Sequence, residues 1–299
     1  MTSAPPLQPQ PQTQAQPQAS RLEPHYGQPQ TQMQKKVPRR FAPLNPERRG
    51  QRESLLAAGG GGGGGAGMMM AEEEPVLKGV VFDVDGTLCL PQNYMFQEMR
   101  TEEPTPITPS LVLHRSVLGI DKSVDIITHI RSLPTLEERT EAAAKVKAIE
   151  RAAMTKQKPQ PGLVQLMDYL HSRGVRRALC TRNFEAPVTH LLTTHLPAHV
   201  FTPIITRDTP DLLPKPDPAG LLHIAKEWGL ENGASDLIMV GDSLDDMTAG
   251  HKAGAATVLL VNDHNKSLIE HDHTNLWIKQ LDELIGILED GFVSPREIS

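Results

Sequence analysis

The stretch VLKGVVFDVDGT, residues 76–87, decides how this chain folds. Apolar, largely β-branched residues lead up to Phe82 with little polar alternation, the pattern of a strand buried on both faces. Asp83-Val84-Asp85-Gly86-Thr87 follows directly, and the Asp-Gly pair predicts a tight turn at the strand's end. Such a strand needs parallel neighbours, and the chain supplies them downstream. VRRALCT (175–181), DLIMVGD (236–242) and ATVLLVN (256–262) are apolar runs of the same kind, and FTPIITRD (201–208) is a weaker one. Segments with helical spacing lie between and after them: LVQLMDYLHSRG (163–174), FEAPVTHLLTTHL (184–196), PAGLLHIAKEWG (218–229), DDMTAGHKAG (245–254) and LDELIGILEDG (281–291). This alternation predicts right-handed βαβ units, hence an α/β fold with a Rossmann-like parallel sheet covered on both faces. Ligands of such sheets gather outside the carboxyl ends of the strands.

Outside this alternation the composition changes twice. Residues 92–158 read as a helical insert, with an irregular TEEPTPITPS at 101–110. Its clearest element is LEERTEAAAKVKAIERAAM (136–154), rich in strong helix formers. Residues 1–70 alternate Pro and Gln, pass through KKVPRRF and end in a glycine run, so they are expected to be a disordered basic tail. The expected organisation is therefore a tail at 1–70, a core made of 76–91 with 159–290, and a helical domain at 92–158.

Bulk properties exclude several functions. The tail carries a net +5, which leaves −11 on the remainder of a chain whose total is −6. An acidic body is a poor nucleic-acid binder, so no nucleic-acid partner is expected. No run of about 18 apolar residues is present, which argues against a membrane span. Cys89 and Cys180 are the two cysteines; they suit a reducing compartment and read as small buried apolar groups. The cytoplasm is the default location, with nucleus or mitochondrion open through the basic tail, whose partner the residues do not name. His251, His264, His271 and His273 lack metal-ligand spacing and read as surface or capping groups, and Arg115 and Arg131 could contact an anionic substrate but read rather as surface residues of the insert.

Four polar clusters carry the chemistry. Asp83 and Asp85 share one side of the chain by the two-residue period, and carboxylates this close raise each other's proton affinity unless a cation intervenes. A hard cation such as Mg²⁺ would resolve that conflict. One carboxylate could then attack while the other moves a proton, or the pair could simply be an Asp-Gly turn with capping carboxylates. Cys180-Thr181-Arg182-Asn183 puts a hydroxyl and backbone amides where a helix begins, which is an anion site or simply a helix cap. Lys215 stands between prolines in LPKPDP, an ammonium aimed by a stiff backbone or a solvated turn residue. Gly241-Asp242-Ser243-Leu244-Asp245-Asp246 places three acids after the apolar run LIMV. They could bind a cation or favour a helix N-terminus.

Taken in order, FDVDGT, CTRN, the PKPDP lysine and GDSLDDM closely resemble the four motifs of the haloacid dehalogenase superfamily, from about Val76 to Leu288. The long insert after the first motif resembles the helical cap of its phosphoglycolate-phosphatase-like branch. The resemblance implies an Mg²⁺-dependent phosphatase acting on a small phosphorylated metabolite. Asp83 would be the nucleophile, forming an aspartyl-phosphate and binding the metal. Asp85 would be the general acid/base, with its carbonyl on the metal. Thr181, with Arg182 and Asn183, would bind phosphate, and Lys215 would bridge it to Asp83. Asp242 and Asp246 would complete the metal site, leaving Asp245 as an uncertain neighbour. The acid at position 85 disfavours dehalogenation, because halide needs no proton to leave whereas an alkoxide does. A phosphomutase on the same scaffold and a non-catalytic binding protein that kept the fold are the alternatives.

Overall fold

Among the described residues, six parallel strands form one sheet in the order β3-β2-β1-β4-β5-β6. They are β1 (Gly79–Phe82), β2 (Arg176–Cys180), β3 (Ile204–Ile205), β4 (Leu237–Gly241), β5 (Ala256–Leu260) and β6 (Leu276–Ile278). The computed structural model describes residues 40–58, 74–91, 118–119 and 126–294. The α-helices among the described residues are α1 (Pro46–Ala58), α2 (Ile126–Ser132), α3 (Leu136–Met154), α4 (Leu163–Ser172), α5 (Glu185–His195), α6 (Ala219–Glu227), α7 (Leu244–Ala253) and α8 (Glu283–Asp290). None of the described helices is long and apolar enough to cross a membrane.

β1 lies between β2 and β4 and every residue of it is buried, as its unbroken apolar run requires. Side chains alternate across the sheet, so its two faces seed two cores. Val80 and Phe82 pack with Leu166, Leu170, Val240 and Leu284, whereas Val81 packs with Ala178, Leu221, Ile224 and Met239. Where the chain enters and leaves the insert, its two connections lie side by side. Leu90 donates its amide to Lys158 at 2.8 Å and Gln160 donates to Leu88 at 3.0 Å. The described part of the insert is helical, and α3 packs against α5. The irregular segment at 101–110 and Arg115 lie outside the described residues.

The structure departs from the sequence reading at the N-terminal tail. Residues 40–58 are built onto the core. Phe41 is 2% exposed and meets the ring of Phe292 at 5.8 Å between centroids. Its amide donates to Phe292 O at 2.9 Å, Ala42 donates to Pro75 O, and Leu44 donates to Leu288 O. Asn45 then caps α1, accepting the Glu47 amide at 3.0 Å, with Pro46 at the first helical position. Low mean hydropathy over seventy residues hides this because one aromatic anchor is enough to order a short stretch. The remaining tail residues, 1–39 and 59–70, lie outside the described residues. β6 was not expected either; three residues at a sheet edge carry too little pattern to read.

Candidate active site

The site assembles at the carboxyl ends of β2, β1 and β4, where the expected clusters meet. Asp83 is the first residue past β1, and its amide donates to Val240 O at 3.0 Å. Lys215 reaches in from the proline-flanked loop before α6 and is 4% exposed. Its ammonium donates to Asp83 Oδ1 at 2.7 Å and to Asp246 Oδ1 at 2.5 Å. One cation thus joins the first, third and fourth clusters. Burial works against the charged ammonium, but Asp246 and Asp83 outweigh it and hold its proton affinity above the ordinary lysine range.

The carboxylates are crowded. Asp83, Asp242 and Asp246 each bring an oxygen within 4.8 Å of the others. Burial raises the pKa of Asp83, opposed by Lys215 and reinforced by Asp246. Asp242 is pushed well above the usual carboxylate range, first by burial and then by repulsion from Asp246, Asp83 and Asp85. An all-oxygen donor set with surplus negative charge fits a hard divalent cation. Asp246 is the least available of the three. It is 0% exposed, its Oδ1 accepts from Lys215, and its Oδ2 accepts from the Ser243 amide at 3.0 Å and hydroxyl at 2.6 Å. With Ser243 it forms a capping box at the start of α7.

Glycines make the close approach possible. Gly86 has φ +82°, and a Cβ there would lie 2.2 Å from Asp242 Oδ2. Gly86→Ala is therefore expected to cost at least about 2 kcal/mol from the left-handed backbone and the clash. It should also displace Asp242, so urea unfolding and activity should both register the change. Wild-type stability in that variant would mean the turn is not needed as drawn. Gly241 is equally constrained, since a Cβ there would meet Asp246 Cβ at 2.3 Å.

Thr181 is 6% exposed at the end of β2, and its hydroxyl accepts the Asn183 amide at 3.2 Å. Arg182 turns its guanidinium to Asp245, with which it forms an ion pair. Asp85 stands in the turn beside Asp83, partly open to solvent. Asp83, Lys215, Asp242 and Asp246 are thus brought together, Asp85 and Thr181 follow the adjoining strands β1 and β2, and Arg182 and Asp245 are engaged with each other. Three further residues were missed. Gln160 donates to Gly86 O at 2.8 Å, Asn262 donates to Asp242 Oδ2 at 3.1 Å, and Asn265 donates to Asp242 O at 2.7 Å. Their signal was positional: both asparagines follow β5 at the same sheet edge, and Gln160 sits where the insert rejoins the core. Of the four histidines noted in the sequence, three gather: the rings of His251 and His273 stack at 4.3 Å and His271 meets His273 edge-on.

Residues 77–254 match the family model described as haloacid dehalogenase-like hydrolase. The chain belongs to this family. An uncharacterized hydrolase of Saccharomyces cerevisiae is 40% identical to it over 219 residues, covering 72% of this chain and 92% of the yeast protein. Phosphoglycolate phosphatase 1 of Pseudomonas aeruginosa is 34% identical over 148 residues, covering 46% of this chain and 53% of the bacterial one. In fold, the chain resembles a solved haloacid dehalogenase hydrolase of family IA, variant 3, from Entamoeba histolytica, with a TM-score of 0.54 at 20% identity over 71% of this chain and 98% of that one. Family membership accounts for the convergence of four short motifs far apart in sequence on one sheet edge.

Proposed function

We propose that this hydrolase is an Mg²⁺-dependent phosphatase that cleaves small phosphate monoesters through an aspartyl-phosphate on Asp83. The observation that carries the reading is the buried ammonium of Lys215 held between Asp83 and Asp246. That ammonium opposes the burial that raises the pKa of the Asp83 carboxylate and places positive charge where a phosphate oxygen would lie. Phosphatases named among the relatives support the same chemistry.

Asp83 attacks phosphorus, and the bond from phosphorus to the ester oxygen breaks. Asp85 gives a proton to the departing alcohol, then takes one from the water that attacks the aspartyl-phosphate. Inorganic phosphate leaves and Asp83 is restored. Thr181 and Asn183 hold the transferring phosphate, while Asp246 keeps Lys215 in place. Asp83, Asp242 and the Asp85 carbonyl would hold Mg²⁺, which when bound offsets the charge of the carboxylates and the phosphate. Asn262 and Asn265 orient Asp242 from behind.

The insert acts as a cap over this edge. Lys147 of α3 donates to Asp208 Oδ1 at 2.9 Å, and Asp208 Oδ2 accepts the first amide of α5 at 3.1 Å. The insert thereby adjoins the loop that carries Thr181. A cavity of about 440 Å³ borders Gly86, Gln160 and Asn262, with Lys266 and Lys279 in its lining, a size that suits a small anionic metabolite. Both thiols are buried and unbridged, and burial pushes Cys180 up to about 11; a reducing compartment such as the cytoplasm fits them.

Phosphate release from a panel of small esters tests the reading. Release is expected with Mg²⁺ and should disappear on chelation with EDTA and return when Mg²⁺ is restored. Folded protein that releases no phosphate from any ester, with or without Mg²⁺, would sink it. Isomerisation of a sugar phosphate without net release would point to a mutase.

A further inference from the structure

Resting on the proposed phosphatase reading, we infer that the Arg182–Asp245 ion pair is a tie across the mouth of the site that sets the distance between the two halves of the phosphate cradle. Arg182 follows Thr181 at the carboxyl end of β2, and Asp245 lies in the first turn of α7 immediately after β4. β2 and β4 are the two neighbours of β1 in the sheet. Strand spacing puts their ends roughly 10 Å apart, with Asp83 between them. The ion pair links these two sides across the end of β1.

Both ends of the tie are braced. The backbone after Thr181 is held from the β3 side, where Arg207 donates Nε to Arg182 O and its amide to Asn183 O, each at 2.8 Å. Asp245 stands beside Asp246, whose capping box fixes the start of α7. The Thr181 hydroxyl thus sits on the first braced segment, and the Lys215 ammonium is bonded to Asp246 on the second. A phosphoryl group between them needs both at a set distance. Side chains of the pair are about one-third exposed, so the link adds little to global stability, and its value lies in geometry. Arg182 and Asp245 are positioning residues in this reading, and phosphate is bound without direct help from Arg182.

Positioning and direct contact predict different kinetics. Arg182→Met and Asp245→Asn are each expected to lower kcat about tenfold, because small misplacements weaken the transition state more than the bound substrate. KM and inhibition by inorganic phosphate should stay within about twofold of wild type. The combined variant should be no worse than the poorer single one, since residues acting as a unit are non-additive. A multiplicative loss, or no change in kcat, overturns the inference. So does a rise in KM with weakened phosphate inhibition in Arg182→Met alone, which would make Arg182 a direct ligand. Amide hydrogen exchange at residues 181–184 of the intact chain gives an activity-independent readout. Both variants should exchange faster there, and unchanged exchange rejects the tie. If the wild type hydrolyses no ester, the phosphatase reading fails and the exchange measurement alone judges the tie.

Discussion

Asn in place of Asp83 is expected to remove ester hydrolysis, by about four orders of magnitude or more, while leaving the fold at least as stable as before. The loss follows from chemistry: the amide keeps the shape of the carboxylate but cannot form an acyl phosphate. The stability follows from charge. Three carboxylates, Asp83, Asp242 and Asp246, lie within 4.8 Å of one another. A single buried ammonium, Lys215, bonds to two of them. Neutralising one acid relieves repulsion, and Lys215 keeps Asp246 as its partner. A wild type gathering acids for function should therefore gain less from folding than its variant when no divalent cation is present. Thermal unfolding with EDTA should give a melting temperature equal to or above that of the wild type. With Mg²⁺ the order should narrow or reverse, because a ligand that binds only the folded state stabilises it in proportion to its affinity. Retained turnover would remove Asp83 as nucleophile. A clear fall in melting temperature would mean that the Lys215–Asp83 bond outweighs the crowding.

Removing the aromatic anchor of the N-terminal segment should have the largest effect on stability. Phe41 is almost fully enclosed, its ring facing Phe292 and its neighbours in the core including the last helix. Phe41→Ala is expected to cost about 3 to 5 kcal/mol, the usual range for deleting a buried ring. For a chain of this size that lowers the melting temperature by roughly 10 °C. Beyond the ring, the segment supplies backbone hydrogen bonds to Pro75, Leu288 and Phe292, and Asn45 Nδ2 donates to Glu289 at 2.8 Å. A chain begun at Glu74 should therefore lose at least as much as the point variant. Activity per folded molecule should be little changed in Phe41→Ala, since the segment packs around Phe292 and α8 rather than at the Asp83 edge of the sheet. Equal melting temperatures for wild type and Phe41→Ala would show the segment to be dispensable.

Most of the core was legible because its signals are local. The apolar run before Asp83 announces a buried strand wherever it sits in the sheet. α3 was read at 136–154 and spans Leu136–Met154, because an Ala-, Glu- and Lys-rich segment favours a helix before any tertiary contact forms. The acids at 245 and 246 suit a helix N-terminus, and in the structure Asp246 completes a capping box with Ser243 at the start of α7. Short or weakly patterned elements were harder. β3 proved to be two residues of an eight-residue strand-like run, and β6 carried no readable period. Phe41 was overlooked because a tail averaged over seventy residues looks polar even where one ring is buried.

The sequence by itself determined the α/β alternation, the order of the four motifs and the candidate chemistry of Asp83, Asp85, Thr181, Lys215 and Asp242, because propensity, turn residues and charge crowding act over a few neighbours. Only the tertiary structure decided what the remaining polar groups do. It committed Asp246 to Lys215, turned Arg182 to Asp245, and brought Asn262, Asn265 and Gln160 to the acid cluster. Those pairings join residues up to 74 positions apart, as in the bond from Gln160 to Gly86. Which of several available partners a carboxylate or guanidinium takes depends on distances of a few ångströms. Strand order and loop path fix those distances, and no local pattern in the chain encodes them.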